Sequence, residues 1–416
     1  MTANFGTLGG LSERRIDIVQ GGDGNRTLSV INFDGGTRYR IGWPNDRMVL
    51  GFGNNGAIQP TINVAATTTT DHELWTGLEW SGTLNINNSS AHPLLLTGPV
   101  RGGDGIQING PGVVSFDSSD NSYSGTTVID AGSPGPGVAR ARGRNSLGSG
   151  LVLIGPVGNA TTARLELEND ALVPNPVALP GRNNDSAGIV STSGTNVISG
   201  TVRAEVGGGN YWIRSDAGHL ELSGSHGGGV ALRSNAGGTR TFTLRGGGDG
   251  TVSGAIENGN ATVNLAKADG GTWSLEGTNT YTGTTTVDGG VLEVLGTTGT
   301  GAVTVNGGGV LQGRGTVRSS LTAQPGATVR AGETGFPLLP PASLIDDFEA
   351  YPVGGIGATP NATGDAWIGV FNGTANARIA DIAGDRALEV NGINAGSNGW
   401  RGATAELGSR RLPHGQ

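Results

Sequence analysis

Apolar residues along this chain come in pairs separated by a single residue: Leu84/Ile86, Ile106/Ile108, Val114/Phe116, Leu165/Leu167, Leu220/Leu222, Val230/Leu232, Phe242/Leu244, Val263/Leu265, Trp273/Leu275 and Val303/Val305. Alternation of period two belongs to a strand with one face turned inward. Each segment is only three to five residues long and is closed by Gly, Asn or Asp. Strands this short do not stand alone, so each must be covered by neighbours above and below it. No stretch sustains a 3.6-residue apolar period between helix caps. The pattern therefore predicts an all-β chain, a right-handed parallel β-helix (solenoid) with little helix.

Longer repetition agrees. Leu96-Thr-Gly-Pro-Val100 answers Val252-Ser-Gly-Ala-Ile256, and Asn121-Ser-Tyr-Ser-Gly-Thr-Thr-Val128 answers Asn279-Thr-Tyr-Thr-Gly-Thr-Thr-Thr-Val287. The two pairs lie about the same distance apart, as a duplicated unit requires. A third, partial copy stands at Ile198-Ser-Gly-Thr-Val202, with His219-Leu-Glu-Leu-Ser-Gly224 in the place held by Thr272-Trp-Ser-Leu-Glu-Gly277.

The run from Val252 to Glu333, with Trp273-Ser-Leu-Glu-Gly-Thr-Asn-Thr-Tyr-Thr-Gly-Thr-Thr-Thr-Val287 and Gly299-Thr-Gly-Ala-Val-Thr-Val-Asn-Gly-Gly-Gly309, resembles the autotransporter-associated β-strand repeat, also called the passenger-associated transport repeat. A weaker likeness covers Leu96 to Val152, where a Pro/Arg-rich insertion, Ser133 to Arg144, takes the place of a clean strand. The resemblance implies a β-helix exported across a bacterial envelope, with repeats that assist passage and folding and with no active site. The motif also makes physical sense by itself. Thr284, Thr285 and Thr286 suit strands through β-branching, and Gly283, Gly289 and Gly290 supply turn conformations closed to residues with a Cβ. Tyr281 is expected to lie over the coil surface. With ~22 residues per coil and ~4.8 Å of rise, roughly 300 residues give about 14 coils and a rod on the order of 65 Å long.

Composition narrows the function. The 416 residues include 79 Gly but only 18 Pro, and no Gly-X-Y period, which excludes collagen. A net charge of −8 with a single lysine, Lys267, argues against nucleic acid, whose phosphates are held by clustered Lys and Arg. The absence of cysteine rules out disulfides, a thiol nucleophile and cysteine metal sites. No signal peptide is legible at the start, so the protein is expected either to stay inside the cell or to begin within a longer reading frame. No run approaches the ~18 apolar residues of a transmembrane helix.

The prolines of Gly335-Phe-Pro-Leu-Leu-Pro-Pro-Ala-Ser343 cannot donate to a ladder and predict a stiff linker. Beyond it, Leu344-Ile-Asp-Asp-Phe-Glu-Ala-Tyr-Pro-Val-Gly354, Trp367 and Ala387-Leu-Glu-Val390 resemble the opening of a concanavalin A-like jelly roll, cut short at Gln416. The predicted organisation is residues 1–95 as a β-rich capping or irregular solenoid region, 96–334 as glycine-rich β-helix repeats, 335–343 as linker and 344–416 as a partial β-sandwich or jelly-roll module.

Candidate chemistry is sparse. His219 and Glu221 alternate with Leu220 and Leu222 and are expected on the outer face of one strand, as a solvated pair rather than a catalytic one. Gly-Gly-Asp-Gly at 21–24, 102–105 and 247–250 suggests calcium-binding turns, but tandem copies are missing. Tight turns with Asp23, Asp104 and Asp249 in solvent are the expectation. Asp346, Asp347 and Glu349 read as a charged edge strand. The histidines at 72, 92, 219, 226 and 414 show no metal-ligand spacing. The run His72-Glu-Leu-Trp-Thr-Gly-Leu-Glu-Trp80 offers either a sugar-stacking surface or, the preferred reading, an end cap over the first coils. Gly246 to Gly250 is not a phosphate loop, since no helix with Lys-Ser/Thr follows.

The sequence thus predicts a non-enzymatic exported surface or passenger protein. Its β-helical shaft would serve display, adhesion or matrix contact outside the cell or on the bacterial surface. No catalytic residue, cofactor or metal site is predicted. The expected partners are glycans or host and matrix surfaces, not nucleic acid, with the chain acting as a monomer. The alternative is a carbohydrate-active or glycan-binding exoprotein that uses the β-helix as a spacer.

Overall fold

The computed structural model describes residues 2–331 apart from several loops, including 17–26, 51–58 and 156–160, and beyond them only the segments 354–355, 376–382 and 385–391. The chain divides into two compact units, Met1–Gly332 and Glu333–Gln416.

The first unit is a parallel β-helix. One stack of strands runs through Val30–Phe33, Thr61–Val64, Leu84–Asn88, Ile106–Asn109, Thr127–Ile129, Val152–Ile154, Val177–Pro180 and Val202–Glu205, each parallel to the next. A second runs through Arg38–Ile41, His72–Leu74, Leu94–Leu96, Val113–Phe116, Val138–Arg144 and Arg164–Val173. A third, short stack joins Thr27–Leu28, Arg47–Leu50, Gly77–Trp80 and Val100–Gly102. Farther along, Val230–Arg245 and Ala255–Lys267 pass through whole corners. The last coils carry two strands each, Val303–Val305 with Gly309–Gly313, then Leu321–Ala323 with Thr328–Ala331.

Period-two alternation places the core as the sequence pattern requires. Leu84, Ile86, Ile106, Ile108, Val303 and Val305 are fully buried, with Leu84 in register with Ile106, Ile86 with Ile108 and Val305 with Val287, while Val303 meets the buried Thr285. The exception is Val230. A register shift between Val230 and Leu232 turns Ala231 inward and leaves Val230 half-buried. Such a bulge inserts an extra residue and changes which side chain faces the core.

Four expectations are corrected. Coil length is not uniform at ~22. Bonds between adjacent coils span 22 residues at Asn109–Asn87, 30 at Ser234–Ala204 and only 18 at Asn279–Thr297. Tyr281 is inside the coil, with no exposed surface. The Pro/Arg-rich stretch contains a real strand, Val138–Arg144, because Ala139 and Ala141 are small enough to face the core while Arg140 and Arg142 face out. The segment His72–Trp80 is neither a stacking surface nor an end cap. His72–Leu74 pairs on both sides, with Arg38–Ile41 and Leu94–Leu96, and Gly77–Trp80 lies between Arg47–Leu50 and Val100–Gly102. Leu74 and Leu78 supply its inward face, so the segment is one coil among others.

In the second unit Asn376–Ile382 and Asp385–Asn391 form an antiparallel pair joined by the short strand Gly354–Gly355. Of the residues behind the jelly-roll expectation, 387–390 fall within the strand Asp385–Asn391, whereas 344–353, Trp367 and the linker 335–343 lie outside the described residues.

Candidate functional site

The duplicated motif has one geometry in both copies. Asn121 Oδ1 accepts the backbone N–H of Val100 at 2.7 Å, and its Nδ2 donates to the carbonyl of Ser146 at 2.5 Å. Asn279 does the same between Ile256 (2.7 Å) and Thr297 (2.6 Å). One side-chain amide thereby ties its own coil to the coils on either side. Two residues on, the hydroxyls of Tyr123 and Tyr281 share a hydrogen bond with Thr127 Oγ1 (2.7 Å) and Thr285 Oγ1 (2.6 Å). Burial raises the pKa of both phenols, partly offset by these bonds. A glycine of the next coil lies over each ring. A Cβ at Gly148 would come within 2.3 Å of the Tyr123 carbonyl oxygen, and one at Gly299 within 2.3 Å of the Tyr281 carbonyl oxygen. The motif is thus a cluster that locks three coils together, and its hydroxyls are consumed in doing so.

The sequence profile of the passenger-associated-transport-repeat family matches residues 109–133 and 265–294. The chain carries passenger-associated transport repeats. Each match contains one Asn–Tyr–Thr cluster, and the two lie inside the stretches whose motifs resemble that repeat. Repeats of this family mark autotransporter passenger domains, surface-exposed proteins whose repeats are typically structural. Neither the curated proteins nor the solved structures contain a match to this chain. Among the described residues, no helix is long and apolar enough to cross a membrane.

Most residues singled out in the sequence are engaged between coils. His219 and Glu221 do lie on the outer side of their strand, where Glu221 accepts from Ser253 Oγ at 2.6 Å. Asp104 and Asp249 are exposed but not free. Asp104 accepts the N–H of Gly82 (2.7 Å) from the preceding coil, and Asp249 that of Thr272 (2.9 Å) from the following one. A backbone N–H at a turn needs an acceptor, and the adjacent carboxylate supplies it. Among the described residues no three acidic or histidine groups gather as metal ligands. Asp23, Asp346, Asp347, Glu349 and His414 lie outside the described residues.

His72 is buried and stacks on Phe33 with ring centroids 4.4 Å apart. Its Nδ1 accepts the N–H of Tyr39 at 3.3 Å, which requires the neutral ring. Burial lowers its pKa from 6.5 to about 4. His92 bonds Asp71 at 3.1 Å, and His226 sits in a short 3-10 turn at Ser225–Gly227. Lys267 stands at an inward position, in register with Val287 and Val305. Its ammonium donates to the carbonyls of Ala268 (2.7 Å), Asp269 (2.9 Å) and Gly289 (3.1 Å), and burial lowers its pKa to about 8.

Two outer-face arrays escaped sequence reasoning. Arg140 and Arg164 both grip the carboxylate of Glu166, at 2.8 and 2.7 Å, while Arg142 reaches Asp117 at 3.0 Å. The second is an asparagine ladder. The side-chain amides of Asn32, Asn63, Asn87 and Asn109 each donate to the asparagine of the preceding coil, starting from Asn4, at 2.7 to 2.8 Å. The signal was present as Ile-Asn at 31–32, 62–63, 86–87 and 108–109. Three rungs, Asn32, Asn63 and Asn87, line a groove of about 510 Å³ together with Asp34, Ala65 and Ser89 two residues on and with Phe33 and Val64 between.

Proposed function

We propose that the coiled region is a non-catalytic shaft that displays adhesive or matrix-contacting surfaces outside a bacterial cell, acting as a monomer. Residues 96–334 supply the repeats, 1–95 the more irregular start, 335–343 a linker and 344–416 a separate module. The observation that carries this reading is where the polar chemistry goes. Asn121, Asn279, Asp104, Asp249, Glu166 and Lys267 all spend their hydrogen-bonding groups on neighbouring coils or nearby backbone. An active site needs acids, bases or donors aimed at a substrate instead. The glycan-binding alternative draws its support from the groove beside the asparagine ladder.

The test is to immobilise the full chain and measure retention of intact cells and of matrix preparations, and in parallel to incubate it with a panel of polysaccharides. Retention without new reducing ends or unsaturated products fits the proposal. Release of either product by the purified chain overturns the non-catalytic reading.

A further inference from the structure

The groove beside the ladder lies on strand ends of three successive coils, where residues two apart share a face. One row is Asn32, Asn63 and Asn87, and the parallel row is Asp34, Ala65 and Ser89. The small side chain of Ala65 in the middle of the second row leaves the space, and Asp34 and Ser89 bound it at either end. Its volume falls within the ~300–1,000 Å³ range of ligand sites.

The chemistry of the walls selects a ligand class. An asparagine amide has two N–H donors and two acceptor lone pairs. Each rung uses one N–H toward the preceding coil and one lone pair toward the next. One donor and one acceptor therefore remain on each, repeating about every 4.8 Å along the coil axis. Asp34 accepts the Thr67 hydroxyl and keeps further acceptor capacity, and Ser89 adds a hydroxyl. The lining holds one carboxylate and no Lys, Arg or His. Groups that both donate and accept, regularly spaced and uncharged, match such a surface. We propose that this groove binds a neutral glycan chain lying along the coil axis. The inference rests on the reading of the chain as a surface-contact protein and supplies it with a site.

Affinity electrophoresis of the full chain through gels holding dextran, xylan, laminarin or galactomannan tests it, with polygalacturonate as the charged comparison. At least one neutral polymer should retard the chain, and polygalacturonate should not. Ala65→Trp, which fills the groove, and Asp34→Ala, which removes a wall group, should each weaken retardation about tenfold, the worth of one good hydrogen bond or more. Asn306→Ala removes a comparable cross-coil amide bond, to Asp288 in the late coils, and should leave binding unchanged, with melting curves confirming that all three variants fold. The proposal is overturned if no neutral polymer retards the chain, if polygalacturonate alone does, if both groove variants bind as the parent does, or if Asn306→Ala loses binding equally. Any of these would leave the shaft reading standing, because cell retention and catalysis are measured separately.

Discussion

Gly299 lies against the ring of Tyr281, so close that a Cβ there would fall 2.5 Å from Cδ2 and 2.3 Å from the tyrosine's own carbonyl oxygen. The ring is held by its bond to Thr285 and the carbonyl by the backbone ladder, so neither can give way. Gly299→Ala should therefore destabilise the chain by about 2–3 kcal/mol through overpacking, read as a lower urea midpoint with an unchanged slope. Tyr281→Phe should cost about 1 kcal/mol, since it strands only the Thr285 hydroxyl.

Inward and outward positions of one strand should respond in opposite ways. Val305 is fully buried between Val287 and Ala323, whereas Thr304 is half-exposed. Val305→Asp places a carboxylate in the coil interior without a partner and should cost several kcal/mol, of the order of 3–5. Thr304→Asp should stay within about 0.5 kcal/mol. Equal melting temperatures for the two variants would reverse the assignment of faces.

His72 makes the early coils sensitive to acid. Its folded pKa is about 4 against 6.5 for an ordinary histidine, so between those values the unfolded chain binds more protons than the folded one. Stability from this group is complete above pH 6.5, falls as the pH drops through that window and levels off below about 4. The total is on the order of 3 kcal/mol. Urea midpoints between pH 7 and 4 should show the loss in the parent chain and less of it in His72→Gln, which keeps an acceptor for Tyr39 but has no titrating ring.

Lys267 is the chain's one lysine and is buried, so an amine reagent has a built-in reporter. At pH 7.5 it should label Lys267 only when the coil around it opens, with the labelling rate rising steeply in denaturant. Lys267→Met would leave three carbonyls without their donor and should cost about 2 kcal/mol. Rapid labelling of the folded chain would place the ammonium outside the coil.

Inward faces were legible where strand alternation is regular. Leu220 and Leu222 are buried on one side of a strand whose other side carries His219 and Glu221, as the sequence pattern states. Tyr281 was misplaced because it sits in a loop, where period two does not apply and only the glycine of the next coil reveals the room for a ring. Lys267 keeps the alternation of Val263 and Leu265 but breaks the rule that inward residues are apolar, and carbonyls contributed from two coils hold its ammonium. The groove was unreadable for a related reason. Its walls are drawn from residues 24 to 31 positions apart, and only the register aligns them.

Because neighbouring coils among the described residues pair strand to parallel strand, the chain's length is separable from its fold. Asn121 and Asn279 occupy the same place in their coils, so homologous recombination between the two copies would remove or add whole coils and leave each new junction in register. A gene built this way can change the reach of its product by unequal crossing-over, without passing through a misfolded intermediate sequence.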